Sequence, residues 1–319
     1  MKKKNSLLAG VLVLQLVVTL SLFLWRGDSS GNFTSEPLMS YESDQLEKLI
    51  VSDGDSDVVL LKKGEEWQLS DTGLPVAEEK LDLLLDMLKG LQTAWPVTTT
   101  SSSHERFEVS ENKVRRKISL YQGDKALAEL YVGTSPGFKK SHVRVDGQDE
   151  VYALEFNTYD APSTTKEWLD KSLLTVKSVT KIKGKGYTLS REGESWLIDP
   201  VQDGREINAD NVDNLVKAVG AFKILEVANS APEFTEDKQT EIQVDNGSSY
   251  SIFLMEEEEK FYVKRTGFDQ TFTLSKYEYE RLTKPNLESL TTEITINDVA
   301  VKSDADNVAV ATEEKEDKK

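Results

Sequence analysis

Alternating apolar and polar positions divide the chain into short strand-like runs, with two stretches of helical period among them. "VVLLKKGEEWQLS" (residues 58–70) holds two β-rich runs around a glycine-containing turn, the signature of a hairpin. Pro75 and the acidic pair Glu78 and Glu79 then open a helix. In it Leu81, Leu84, Leu85, Leu88 and Leu91 recur at i, i+3, i+4, i+7 and i+10, which makes one apolar face.

The same order of features returns in the second half. "YTLSREGESWLI" (residues 187–198) is again a hairpin, and Asn208 is placed to cap a helix striped by Val212, Leu215, Val216, Val219 and Phe222. Trp196 follows Trp67 by 129 positions and each helix position follows its counterpart by 131, so the register slips by two within a loop, where insertions cost least. "RRKISLYQGDKALAELYVG" (115–133) is answered by "TEIQVDNGSSYSIFLM" (240–255), and "VYALEFNTYDAP" by "TFTLSKYEYERL" 120 positions on. This ordered series predicts an α+β protein of two tandem similar units, residues 46–176 and 177–296. Each would hold mostly antiparallel sheet with a helix covering one face.

The ends follow a different pattern. Residues 6–25, "SLLAGVLVLQLVVTLSLFLW", carry no charge, and twenty residues at 1.5 Å each span a bilayer core of ~30 Å. Lys2, Lys3 and Lys4 on the short flank keep that end in the cytoplasm by the positive-inside rule. Residues 1–25 are therefore expected to be a cytoplasmic tip and a single-pass transmembrane helix, with the bulk of the chain extracytoplasmic. A cleaved signal peptide is the rival, but its apolar region is shorter and ends in small residues, whereas this one ends in Phe23, Leu24 and Trp25. Residues 26–45, rich in Ser, Gly and acids, read as a flexible tether, and residues 297–319 as a disordered acidic tail.

Composition narrows the function classes. A 319-residue chain that is 38% hydrophobic and 30% charged can fill real cores, and its formal charge of -17 argues against nucleic acid as a partner. The absence of cysteine excludes disulfides, thiolate metal sites and cysteine nucleophiles. Neither of the two histidines, His104 and His142, stands in a metal-binding or triad pattern. "SDGDSD", with Asp53, Asp55 and Asp57, imitates a calcium loop but has Val58 and Gly64 where that loop requires Gly and Glu, so a solvated turn is expected. Gly184 and Gly186 in "KGKGYTL" precede a strand and lack the third glycine of a dinucleotide loop. No catalytic residue, metal site or cofactor emerges.

One segment stands out from the acidic background. "GTSPGFKKSHVR" (133–144) gathers Lys139, Lys140, His142 and Arg144 around a turn, whereas its counterpart in the second unit, "MEEEEKFYVKR", is acidic at the tip. These four residues form a candidate partner-binding loop for a carboxylate or an acidic surface.

"HERF" (104–107), "YVGTSPGFKKSHVRVDGQDEVYAL" (131–154) and "WLDKSLL" (168–174), together with the N-terminal anchor, resemble a bacterial membrane-anchored domain-of-unknown-function family that accompanies gliding-motility-type ABC transport proteins. The resemblance implies that the membrane is a bacterial inner membrane, with an ATPase, an ABC-type permease and auxiliary membrane subunits as company, and brings no catalytic residues. The expected function is a non-enzymatic, membrane-anchored accessory or scaffold protein. The alternatives are an envelope hydrolase or glycan-modifying enzyme using two carboxylates between the units, and a small-ligand sensor with a pocket lined by aromatics such as Tyr152 and Tyr159.

Overall fold

The computed structural model describes residues 14–19, 21 and 34–294. The described residues fold into two compact units, those up to 62 with 80–163, and 63–79 with those from 164 onward. These bounds differ from those expected, because residues 63–79 and 164–176 belong to one unit. The N–H of Ala77 donates to the Trp168 carbonyl at 2.7 Å, and Val76 faces Leu169 in an isolated bridge. Backbone bonding ties this segment to residues far along the chain.

Strands β1 (Lys48–Ser52), β2 (Asp57–Lys63) and β3 (Glu66–Leu69) are followed by helix α1 (Glu78–Gly90). After them come α2 (His104–Phe107), the short strands β4 (Val109–Ser110) and β5 (Lys113–Val114), and then β6 (Arg116–Gln122), β7 (Lys125–Val132), β8 (Lys140–Val145) and β9 (Tyr152–Glu155). In the first unit β2-β1-β6-β7-β8-β9 lie side by side in that order, every pair antiparallel. Strand β3 belongs to the segment 63–79. The apolar stripe of α1 is realised: Leu81, Leu84 and Leu88 are buried, as is Leu91 just beyond the helix. Leu49, Val51, Ile118, Leu120, Leu130 and Val143 are buried on alternate strand positions, and these two sets form the apolar interior.

Helix α3 (Thr165–Trp168) introduces the second unit, whose strands are β10 (Lys181–Gly184), β11 (Tyr187–Glu192), β12 (Ser195–Asp199) and β13 (Arg205–Ile207). Helix α4 (Ala209–Ala221) precedes β14 (Ile224–Val227), β15 (Thr240–Asp245), β16 (Ser249–Glu257), β17 (Lys260–Arg265) and β18 (Phe272–Leu274). Helix α5 (Lys276–Thr283) and β19 (Thr291–Glu293) complete it. Its main sheet has the order β12-β11-β10-β15-β16-β17-β18-β14. Asn208 caps α4 as its position predicts, its side chain accepting from the Asn211 N–H at 3.1 Å. Val212, Leu215, Ala218, Val219 and Phe222 are buried, while Val216 is only partly so.

The expected membrane helix, residues 6–25, lies mostly outside the described residues, as does the tail 297–319. Residues 14–19 and 21 are helical, with Leu14, Leu16, Val17 and Val18 exposed. Among the described residues no helix is long and apolar enough to cross a membrane.

Candidate partner-binding site

The four residues of the expected basic loop separate into two pairs. Lys139 sits at the tip of the β7–β8 hairpin, which turns on two consecutive left-handed residues, Phe138 (φ 53°) and Lys139 (φ 59°). That conformation costs a non-glycine residue of order 1 kcal/mol, and local bonds hold it: the Lys140 N–H donates to the Gly137 carbonyl at 3.1 Å, and Ser135 Oγ to the Lys140 carbonyl at 2.6 Å. Lys140 is exposed and Phe138 is 98% exposed. A hairpin of the second unit, β16–β17, also turns on two left-handed residues, Glu258 (φ 52°) and Glu259 (φ 61°). The two tips share a backbone shape and carry opposite charge.

His142 and Arg144 are not part of that surface. They are 8% and 6% exposed, and Val143 between them and Ser141 before them are buried too. Four consecutive buried residues in one strand require cover on both faces. The interior covers Ser141 and Val143, and a small layer made of α2, β4 and β5 covers the other side. Arg144 Nε donates to the Val109 carbonyl at 2.8 Å, and the guanidinium lies 4.3 Å from the centroid of the Tyr131 ring. His142 Nδ1 is 2.8 Å from Thr134 Oγ1, and its ring lies 4.4 Å from that of Phe107. Burial pushes the His142 imidazole below its ordinary pKa; a hydrogen bond to the Thr134 backbone opposes this and the charge of Arg106 reinforces it.

Gly133 completes the cluster. A Cβ built there would stand 1.9 Å from the Phe107 carbonyl oxygen, so no side chain fits, and the next residue, Thr134, donates its N–H to that same oxygen at 2.9 Å. The segments "HERF" and "YVGTSPGFKKSHVR" thus meet in three dimensions, and what they build is the clamp that fastens a small layer onto the sheet. His104 adds to it, its Nε2 lying 3.0 Å from the Asp149 carbonyl oxygen.

The hairpin tip borders a groove of about 660 Å³ in the first unit. Met87, Leu91 and Gln92, at the end of α1, form one wall. Leu154, Phe156 and Asn157, in and after β9, form the other, and Lys139, Glu155 and Asp160 supply its charge. Of the predicted site residues Lys139 alone lines this groove. Glu155 and Asp160 had no distinguishing sequence pattern; only the adjacency of the sheet edge to the helix end brings them into view. Of the two aromatics expected to line a pocket, Tyr152 is 8% exposed and Tyr159 is 84% exposed.

The aspartate-rich turn has a structural role. Asp53 accepts hydrogen bonds from Ser163 Oγ at 2.6 Å and from the Asp55 and Ser56 N–H groups at 3.1 and 2.9 Å, and Arg116 Nη1 stands 3.3 Å away. These bonds, that of Ser163 foremost, hold its carboxyl well below the usual carboxylate range. Among the described residues no group of three His, Cys, Asp or Glu converges to hold a metal ion.

The sequence profile of one family matches residues 67–246, the domain of unknown function DUF4340. No curated protein and no solved structure matches the chain.

Proposed function

Since the chain belongs to the DUF4340 family, whose members are defined by sequence and not by activity, its own surfaces must supply the reading, and we propose that it is a non-enzymatic, membrane-anchored accessory or scaffold protein of a bacterial envelope complex. Its company would be an ABC-type permease with auxiliary membrane subunits. The observation that carries this reading is the division of labour within residues 104–144. The groups able to do chemistry there, His104, His142 and Arg144, are occupied with carbonyls, hydroxyls and rings. The open groove displays instead an exposed aromatic beside it and a few fixed charges, which suits recognition of another polypeptide.

The anchor rests on the uncharged run 6–25 behind Lys2, Lys3 and Lys4, which would place the bulk of the chain on the outer side of the inner membrane. We read the two units as copies of one ancestral unit. The strand orders β2-β1-β6-β7-β8-β9 and β11-β10-β15-β16-β17-β18 support this, as does a helix after the opening hairpin in each.

Affinity purification of the full chain from detergent-solubilised membranes tests the reading. An ATPase and a permease of the ABC type are expected to co-purify in fixed ratio. Recovery of the protein alone, under conditions in which such a transporter stays assembled, sinks it.

A further inference from the structure

The two main sheets share an order up to their last strands and then differ. In the second unit the chain leaving α4 returns as β14 and pairs antiparallel with β18, Ile224 facing Leu274 and Val227 facing Phe272. In the first unit the chain leaving α1 departs from that course. Gln92 pairs with Pro37, the Leu38 N–H donates to the Leu91 carbonyl at 2.9 Å, and the Thr93 N–H donates to the Glu36 carbonyl at 2.8 Å. The chain reaches the edge of the sheet only at Val97, whose N–H donates to the Val151 carbonyl at 2.7 Å, while the Val151 N–H donates to the Thr98 carbonyl at 2.9 Å. Strand β9 beyond Val151 is left as the edge.

The alternation of an antiparallel strand fixes which groups that edge presents. Val151 directs both its N–H and its C=O outward, so Ala153 and Glu155 do the same. The other side of the ladder agrees. His142 exchanges backbone bonds with residues 133 and 134, which leaves Ser141 and Val143 to bond Leu154 and Tyr152. Among the described residues no backbone group bonds Ala153 or Glu155 on the outer side. The groove of about 660 Å³ lies along this stretch, between β9 and the end of α1. It occupies the position that β14 fills in the second unit.

We propose that an extended segment of a partner polypeptide adds to this sheet antiparallel to β9, exchanging hydrogen bonds with the N–H and C=O of Ala153 and Glu155. This mode of recognition draws affinity from main-chain bonds and specificity from alternate side chains. Strand β14 shows which residues suit the place. Ile224, opposite Leu274, is 1% exposed, and Leu225 and Glu226 face solvent. The incoming strand accordingly places a β-branched or leucine side chain opposite Leu154, against Met87 and Leu91. Glu155 and Asp160 outnumber Lys139 in the groove of a chain with formal charge -17, so the partner segment is basic at a flanking position. The proposal rests on the scaffold reading above and assigns the surface through which it acts.

The test uses the full chain in detergent and a synthetic peptide with the sequence of residues 222–229, FKILEVAN, as the probe. Binding is followed by fluorescence anisotropy and by hydrogen exchange of the Ala153 and Glu155 amides. The peptide is expected to bind with the N–H groups of Ala153 and Glu155 becoming protected. N-methylation of the peptide on the edge facing β9 is expected to weaken binding roughly tenfold or more, because two main-chain bonds are lost, and methylation on the opposite edge to leave it unchanged. No binding at millimolar peptide, or equal effects of methylation on both edges, overturns the proposal. The same exchange measurement on the purified transport complex separates this inference from the scaffold reading. A recovered complex with Ala153 and Glu155 unprotected removes the strand-addition site and leaves the scaffold. Protection by the peptide in a protein that recovers no transporter subunits does the reverse.

Discussion

The guanidinium of Arg144 stacks on the ring of Tyr131, 4.3 Å from its centroid, and the two residues face each other across the β7–β8 ladder. Lys117 extends the row on the other side, its Nζ 5.2 Å from the same ring and 3.0 Å from Glu129 Oε2. An aromatic ring between two cations attracts both through its quadrupole. The surrounding carboxylates, Glu129 and Asp146, keep the row from being a naked positive patch; the Tyr131 hydroxyl donates to Asp146 Oδ1 at 3.4 Å.

Arg144 is therefore expected to act on stability. Replacing it with Met keeps much of its length but leaves the buried Val109 carbonyl without its donor and removes the ring contact. A loss of about 2–3 kcal/mol follows from a charged hydrogen bond plus a cation–π contact, which lowers the unfolding midpoint by roughly 5–10 °C in a chain of this size. Arg144→Lys is expected to recover only part, since one ammonium cannot both reach the carbonyl and lie flat on the ring. A thermal melt of Arg144→Met that coincides with that of the parent protein would contradict the assignment.

A methyl group at position 133 meets backbone, not a side chain that can swing away, since its nearest neighbour would be the Phe107 carbonyl oxygen at 1.9 Å. Gly133→Ala must push the α2 layer off the sheet and break the bonds from Gly133 and Thr134. The expected cost is about 3 kcal/mol or more. Denaturant unfolding checks it, with Gly147→Ala, where open space surrounds the added carbon but φ is 75°, as a milder comparison.

Below neutral pH, His142 is expected to make the protein less stable. Its folded-state pKa lies under its ordinary value near 6.5, so the unfolded chain binds the proton more readily and stability rises with pH in this range. The contribution is complete above the unfolded value and is lost as pH falls through the folded one. Chemical unfolding measured between pH 7.5 and pH 5 should show a slope that His142→Gln reduces. An unchanged slope in that variant would mean that the imidazole is solvated.

At the alkaline end Tyr187 should behave in the opposite sense. Burial pushes its hydroxyl up to about 12, and its ring takes the space beside Gly184, where a Cβ would stand 2.4 Å from it. The folded state holds this proton more tightly than the unfolded chain, so the stabilising contribution is full below pH 10 and disappears as pH rises toward 12. Ultraviolet titration of phenolate absorbance in the parent and in Tyr187→Phe gives the direct measurement. The difference spectrum should place this residue well above the exposed tyrosines.

The sequence by itself determined what depends on local periodicity and on single-residue preference. The stripe of Leu81, Leu84 and Leu88, the Asn208 cap and the glycine turns of the hairpins were legible because a helix face, a cap and a tight turn each need particular residues at fixed short spacing. The tertiary structure decided everything that depends on which strand lies next to which. Charge alone grouped Lys139 and Lys140 with His142 and Arg144; a strand alternates its faces and this one is covered on both, so the first two are exposed and the last two lie beneath a small layer contributed by residues 104–114. The open edge of β9 left no local trace either. It exists because the residues after α1 pair with residues 36–38 where the residues after α4 pair with β18, a choice between distant segments that no window of the sequence records.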